Sequence, residues 1–113
     1  MTERNRTDKL EAPSNAIGKI LSFIRERRYQ PSERLPSERD FAEKFDTSRG
    51  AVREALAALE TMRVIERRPN SGIYLRKIEE SSIDALVLYA ESGVPFEAKE
   101  IAEFLSKVSL LHI

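Results

Sequence analysis

Two arginines four residues apart, Arg49 and Arg53, follow a serine, Ser48, and enclose a small pair, Gly50-Ala51. If this stretch is helical, positions i and i+4 share a face, so both guanidinium groups point the same way. A guanidinium bonds a guanine edge bidentately or clamps a phosphate. Small residues between the two let such a helix sit deep against its partner. Ser48 and the free N–H groups of the first turn suit a phosphate oxygen. Arg39 adds a third cation upstream. The chemistry on offer is recognition of a polyanion, with base reading as its most specific form. Taken singly, the pieces also fit blander roles: an arginine pair beside Glu54 is an ordinary solvated face, and Pro69-Asn70-Ser71-Gly72 is simply a turn.

Catalytic chemistry finds no residues. The chain has no cysteine, which rules out disulfides, thiolate metal sites and cysteine nucleophiles. Its one histidine, His112, stands next to the last residue and reads as a frayed end, so no His cluster can hold zinc or iron. Neither G-x-S-x-G, nor the Walker A pattern, nor G-x-G-x-x-G occurs. Carboxylates are plentiful but scattered, as solvated helix faces require. A non-enzyme with no cofactor and no metal is expected.

The elements that must position the arginines follow from periodicity. Ile17, Ile20, Leu21 and Ile24 fall at i, i+3, i+4, i+7, which predicts a helix over Ser14–Arg28, closed by Pro31. Ser37 is a good N-cap for a second, short helix ending at Phe45 or Asp46, with Phe41, Ala42 and Phe45 on its apolar side. At about two and a half turns it needs packing to exist. After a turn at Asp46-Thr47, a third helix is predicted over Ser48–Met62, with Val52, Ala55, Leu56 and Leu59 inward and Glu54, Glu60 and Met62 flanking. Val64–Arg68 and Ile73–Lys77 read as two strands joined by the four-residue turn Pro69–Gly72. Helices are then predicted over Ser82–Glu91 (Ile83, Leu86, Val87 and Ala90 inward) and Glu97–Leu111 (Ile101, Phe104, Leu105 and Val108 inward). Ser92-Gly93-Val94-Pro95 breaks the chain between them.

The 113 residues suffice for one ordinary domain and a short extra. Lys+Arg and Asp+Glu both number 19, yet residues 1–78 hold 17 and 12, and residues 79–113 hold 2 and 7. A neutral total thus divides into a body of +5 and a tail of −5. The division expected is a flexible arm at 1–13, a DNA-binding unit at 14–78, and a linker with an incomplete helical segment at 79–113. No apolar run nears the ~18 residues of a membrane span. Met1 to Glu11 carries no secretory signal, so a cytoplasmic protein without a membrane partner is expected.

Several blocks in order, Leu35-Pro36-Ser37-Glu38-Arg39, Phe41-Ala42-Glu43-Lys44-Phe45, Ser48-Arg49-Gly50-Ala51-Val52-Arg53-Glu54-Ala55-Leu56, Val64-Ile65-Glu66-Arg67-Arg68 and Gly72-Ile73-Tyr74-Leu75, strongly resemble the GntR family of bacterial transcription regulators. The resemblance spans residues 14–78. It implies a mainly α fold: a winged helix-turn-helix of three helices and a hairpin, followed by one or two short helices. It implies a regulator that binds double-stranded DNA, with the third helix in the major groove and the wing in the minor groove. A homodimer on a pseudo-palindromic operator goes with it.

Position by position, the resemblance gives Arg39 a DNA contact from the start of the second helix. Arg49 and Arg53 become the recognition-helix arginines, with Ser48, Gly50 and Ala51 at neighbouring contact positions. Asn70, Ser71 and Gly72 form the wing tip. Many members carry two threonines where Gly50 and Ala51 stand, so this chain lacks their hydroxyl groups. Asn70 replaces a common glycine but tolerates a left-handed backbone. Val-Arg-Glu-Ala-Leu is typical of the FadR-like branch, whose helical effector domain far exceeds 35 residues. The tail therefore resembles a truncated start of that domain, without its effector or metal site. A short YtrA-like tail that dimerises is the other form. A winged helix that serves protein interaction and no longer binds DNA is the competing function.

Overall fold

The computed structural model of the chain describes residues 13–94 and 97–111. The expected arm therefore lies outside the described residues, apart from Pro13, as do Pro95 and His112. In chain order the elements are α1 (Pro13–Glu26), α2 (Glu38–Lys44), α3 (Arg49–Thr61), β1 (Ile65–Arg68), β2 (Gly72–Leu75), α4 (Glu80–Glu91) and α5 (Ala98–Leu111).

The inward stripe of α1 is buried throughout, with Ile17, Ile20, Leu21 and Ile24 all at 2% exposure or less. Each such side chain contributes about 1.5–3 kcal/mol when taken out of water. α1 packs on α3 and α4, and α3 on α2, α5 and β1. α2 has seven residues, too few to stand alone. Aromatic packing holds it: Phe41 lies edge-on to Phe23 of α1 at 5.7 Å and stacks on Phe45 at 5.6 Å. Arg27 and Lys44 cover the Phe23 ring from outside, at 4.9 and 5.2 Å.

The three helices of the body end in one way. Arg28, Asp46 and Arg63 each adopt a left-handed backbone, with φ of 53°, 51° and 63°. The next N–H, from Tyr29, Thr47 and Val64, reaches back to Ile24, Ala42 and Leu59. The N–H of each left-handed residue bonds Arg25, Glu43 and Glu60 respectively. These are Schellman caps built without glycine. The first one stops α1 at Glu26 rather than at the expected Arg28. The third draws Met62 inward to 2% exposure, so Met62 is core and not a flanking residue.

The hairpin register pairs Ile65 with Leu75 and Arg68 with Gly72. Its loop is therefore Pro69-Asn70-Ser71, one residue shorter than expected, and Gly72 opens the second strand. That strand stops at Leu75 instead of Lys77, because its partner only begins at Ile65, just past the α3 cap. A third extended segment, which the sequence pattern does not predict, lies on the other edge of β2. Ser32 N–H bonds Leu75 O at 2.7 Å, Leu75 N–H bonds Glu33 O at 3.0 Å, and Leu35 N–H bonds Ile73 O at 2.8 Å. β2 is thus held from both sides.

The tail folds onto the body. Ile83, Leu86 and Val87 of α4 are buried, and a Cβ on Gly18 of α1 would stand 3.1 Å from the Ala90 Cβ. In α5, Ile101 is buried and Leu105 half-buried, but Phe104 points outward at 58% exposure, against expectation. The side chain of Val108, expected inward, lies outside the described part of the chain.

Candidate nucleic-acid interface

Ser37 caps α2 by accepting the Asp40 N–H, and Ser48 caps α3 by accepting the Ala51 N–H, both at 3.1 Å. The Schellman cap at Asp46 turns the chain between them, so the two helices meet through only four residues. This turn brings the start of α2 beside the start of α3.

Two arginines, Arg49 and Arg53, converge there, and a third, Arg39, stands in the first turn of α2. Arg49 and Arg53 are 62% and 63% exposed, and Arg39 is 74% exposed. None is turned into the core. Glu38, the first residue of α2 and only 18% exposed, links two of them. Arg53 donates through Nε to one Glu38 oxygen at 3.4 Å and through Nη2 to the other at 3.3 Å. Arg49 Nη2 approaches the same carboxylate at 3.5 Å. Arg39 pairs with Glu43, four residues on, at 3.5 Å. The two α3 arginines are therefore not equivalent. Arg53 is gripped by two acceptor oxygens, whereas Arg49 is held by a single looser contact and keeps most of its fork free. Sequence reasoning misses this role of Glu38.

Gly50 is exposed and Ala51 half-buried. A Cβ on Gly50 would meet only the Ser48 Oγ, at 4.0 Å, so the protein itself does not demand the small residue. The backbone N–H groups of Arg49 and Gly50 precede the first intrahelical bond and face outward with the cap.

At the wing, Asn70 takes a φ of 61° and Ser71 N–H bonds Arg68 O at 3.0 Å, closing the tip. The hydroxyls of Ser71 and Tyr74 are hydrogen-bonded, and the Arg68 guanidinium lies 4.0 Å above the Tyr74 ring. Gly72 has a φ of 139°, and a Cβ there would come within 2.8 Å of Arg34 Nε. Arg34 thus stands beside Arg67, Arg68 and Asn70 in a shallow recess under the tip. Sequence reasoning misses Arg34 as well. Its one signal is the short Glu33-Arg34-Leu35 stretch before Pro36, readable as an edge strand.

No group of three or more His, Cys, Asp or Glu that could hold a metal ion occurs among the described residues. None of the described helices is long and apolar enough to cross a membrane.

Two helices joined by a tight turn, packed on a third and followed by a hairpin, define a winged helix-turn-helix. The model of the bacterial regulatory proteins of the gntR family matches residues 14–75, and the chain belongs to that family. It is a family of transcription regulators, not of enzymes. The chain is 41% identical over 66 residues to the Uxu operon transcriptional regulator of Escherichia coli (strain K12). That match takes in 58% of this chain and 26% of the relative. Identity is 40% over 91 residues to the HTH-type transcriptional regulator LutR of Bacillus subtilis (strain 168), covering 80% of this chain and 40% of that one. A solved structure of Streptococcus agalactiae GntR superposes with a TM-score of 0.55 at 34% identity, over 57% of this chain and 32% of that one.

Proposed function

We propose that the chain reads double-stranded DNA sequence-specifically, as the DNA-binding part of a GntR-type transcription regulator. α3 enters the major groove, where Arg49 reads a guanine edge and Gly50 and Ala51 allow close approach. Arg53, Arg39 and the Ser48 cap hold phosphates. The Asn70-Ser71 tip, carried by Gly72, enters the minor groove with Arg34 behind it. The observation that carries this reading is the meeting of exposed Arg49 and Arg53 at a serine-capped helix start, with exposed Arg39 in the first turn of α2. A helix of 13 residues is about 20 Å long and fits the groove.

The partner is a second copy of the chain, each copy taking one half of a pseudo-palindrome. Leu88 of α4 and Phe104 of α5, at 66% and 58% exposure, supply apolar surface for it. The work is done in the cytoplasm. The division we propose is a DNA-binding unit at 14–78 and a helical segment at 79–113.

Selection of duplexes from a randomised pool, followed by mobility shifts in moderate salt, tests the reading. An inverted repeat should be enriched. Arg49→Ala should cost about 1–3 kcal/mol and relax specificity, while Arg28→Ala should act weakly and alike on all sequences. Equal affinity for every duplex would remove the sequence-reading role. A monomer at every concentration in light scattering, free and bound, would remove the dimer.

A further inference from the structure

At the end of the body remote from Arg49, a crevice of about 870 Å³ opens where α3, the base of the hairpin and α5 meet. Met62, Ile78 and Leu105 give it an apolar lining, and Arg63, Arg76 and Lys77 give it three cations. None of these cations is ion-paired with a described carboxylate; the described pairs all lie elsewhere. Among the described residues, Glu79 is the sole acid lining the crevice. The C-terminal end of α3 adds about half a negative charge. Against three cations the balance stays positive.

The crevice is separate from the DNA-facing surface. Arg49 starts α3 and Arg63 follows its last turn, about 20 Å away. Arg76 N–H bonds Val64 O at the open end of the hairpin, whereas Asn70 and Ser71 form the opposite tip. A duplex seated on the start of α3 and the wing tip does not supply the missing anion.

We infer that this crevice binds a small organic anion. Its acid group, carboxylate or phosphate, rests on Arg63, Arg76 and Lys77, and its apolar body lies against Ile78 and Leu105. Ser82 and Ser106 offer hydroxyls at the margin. The volume falls within the range of about 300–1,000 Å³ usual for small-molecule sites. Because Lys77 and Glu79 belong to the connection into α4, a bound anion would fasten the tail to the body.

Amide shifts of the full chain, recorded without DNA, test this with four probes. Phenyl phosphate and benzoate carry both acid and ring; inorganic phosphate has only the acid, and benzyl alcohol only the ring. Saturable shifts at Met62–Arg63, Arg76–Glu79 and Leu105–Ser106 are expected with the first two, and their relative affinity names the acid. Inorganic phosphate and benzyl alcohol should each bind more weakly. Arg76→Ala and Lys77→Ala, both exposed and able to keep the fold, should each weaken binding about tenfold, the worth of one charge-assisted hydrogen bond. Three results would overturn the site: shifts centred on Arg39, Arg49 and Arg53, equal response to inorganic phosphate and phenyl phosphate, or indifference to both variants. Loss of duplex affinity in Arg76→Ala would overturn it too, by moving the cation into the DNA interface. A chain that binds no duplex at all contradicts the DNA reading alone, since these shifts are measured without DNA.

Discussion

Glu38→Gln separates affinity from specificity. The carboxylate stands 3.3–3.5 Å from the guanidinium nitrogens of Arg49 and Arg53. A phosphate on the far side of either guanidinium would lie about 7 Å from it. Coulomb's law at an effective dielectric of about 20–80 then gives a repulsion of roughly 0.6–2.4 kcal/mol. With both arginines more than 60% exposed, a value near the lower end applies, about 1 kcal/mol, or roughly fivefold in affinity. Removing the charge should therefore tighten binding to any duplex about fivefold. The same change frees both side chains from a fixed geometry. Preference for the selected site over a scrambled one should fall, by up to the roughly 1–3 kcal/mol that a bidentate contact discriminates. The fold should lose no more than about 1 kcal/mol, since exposed pairs contribute little. Fluorescence anisotropy with the selected and scrambled duplexes at several salt concentrations reads both quantities. If affinity drops equally for the two duplexes, Glu38 is a structural support only. If neither quantity moves, the clamp has no role in DNA reading.

Gly72→Ala should destabilise the wing, because φ is 139° and the new Cβ would meet Arg34 at 2.8 Å; a cost of about 1–3 kcal/mol is expected in urea unfolding, with weaker duplex binding. Arg28→Gly should stabilise the chain by about 0.5–1 kcal/mol, since glycine relieves the left-handed strain at φ 53°, read as a higher urea midpoint at unchanged slope. Gly18→Leu should push α4 off α1, where a Cβ already stands 3.1 Å from Ala90; amide protons of 83–90 should then exchange faster while those of 52–59 keep their protection.

The inward stripes of α1, α3 and α4 were legible because helical period and burial coincide in them. Ile17 to Ile24, Val52 to Leu59 and Ile83 to Val87 all face the core as their spacing demands. The Ser37 cap was legible as local chemistry, whereas the cap of α3 was open between Thr47 and Ser48 until the structure placed it on Ser48. The Schellman ends were not legible. Glycine is the usual marker of a left-handed cap, and here Arg28, Asp46 and Arg63 take its place, so nothing in the string said where α1 stops. Ser32–Leu35 was hidden because four residues are too few to show alternation, and their hydrogen bonds go to a strand about 40 positions away. In the site, the arginines stood out by type and spacing. Glu38 did not, because its partners lie 11 and 15 residues on and only the turn at Asp46 brings them together. Phe104 shows the converse limit: at a position where period predicts burial, nothing in the described chain covers it.

The described ion pairs share a property that bears on how a neutral chain engages phosphate. Arg39, Arg49 and Arg53, on α2 and α3, and Arg68, on the wing, are each held by a glutamate of α2 or of the wing. On the proposed reading, a duplex must compete with Glu38, Glu43 and Glu66 for these cations. Each exposed pair costs at most about 1 kcal/mol to exchange, so the barrier is low, but it recurs at every contact. A random duplex, offering only phosphates, gains little from the trade. On the proposed reading, a matching duplex adds base contacts to Arg49, the less tightly held of the α3 pair, and so should come out ahead. The dependence of affinity on salt should then be shallower than the number of facing arginines suggests, because a cation released from a glutamate displaces fewer counterions in net terms. Under that trade one copy binds weakly. A second copy, bringing its own α3 to the other half-site at an effective concentration near the millimolar range, would convert a small preference per module into a decisive one.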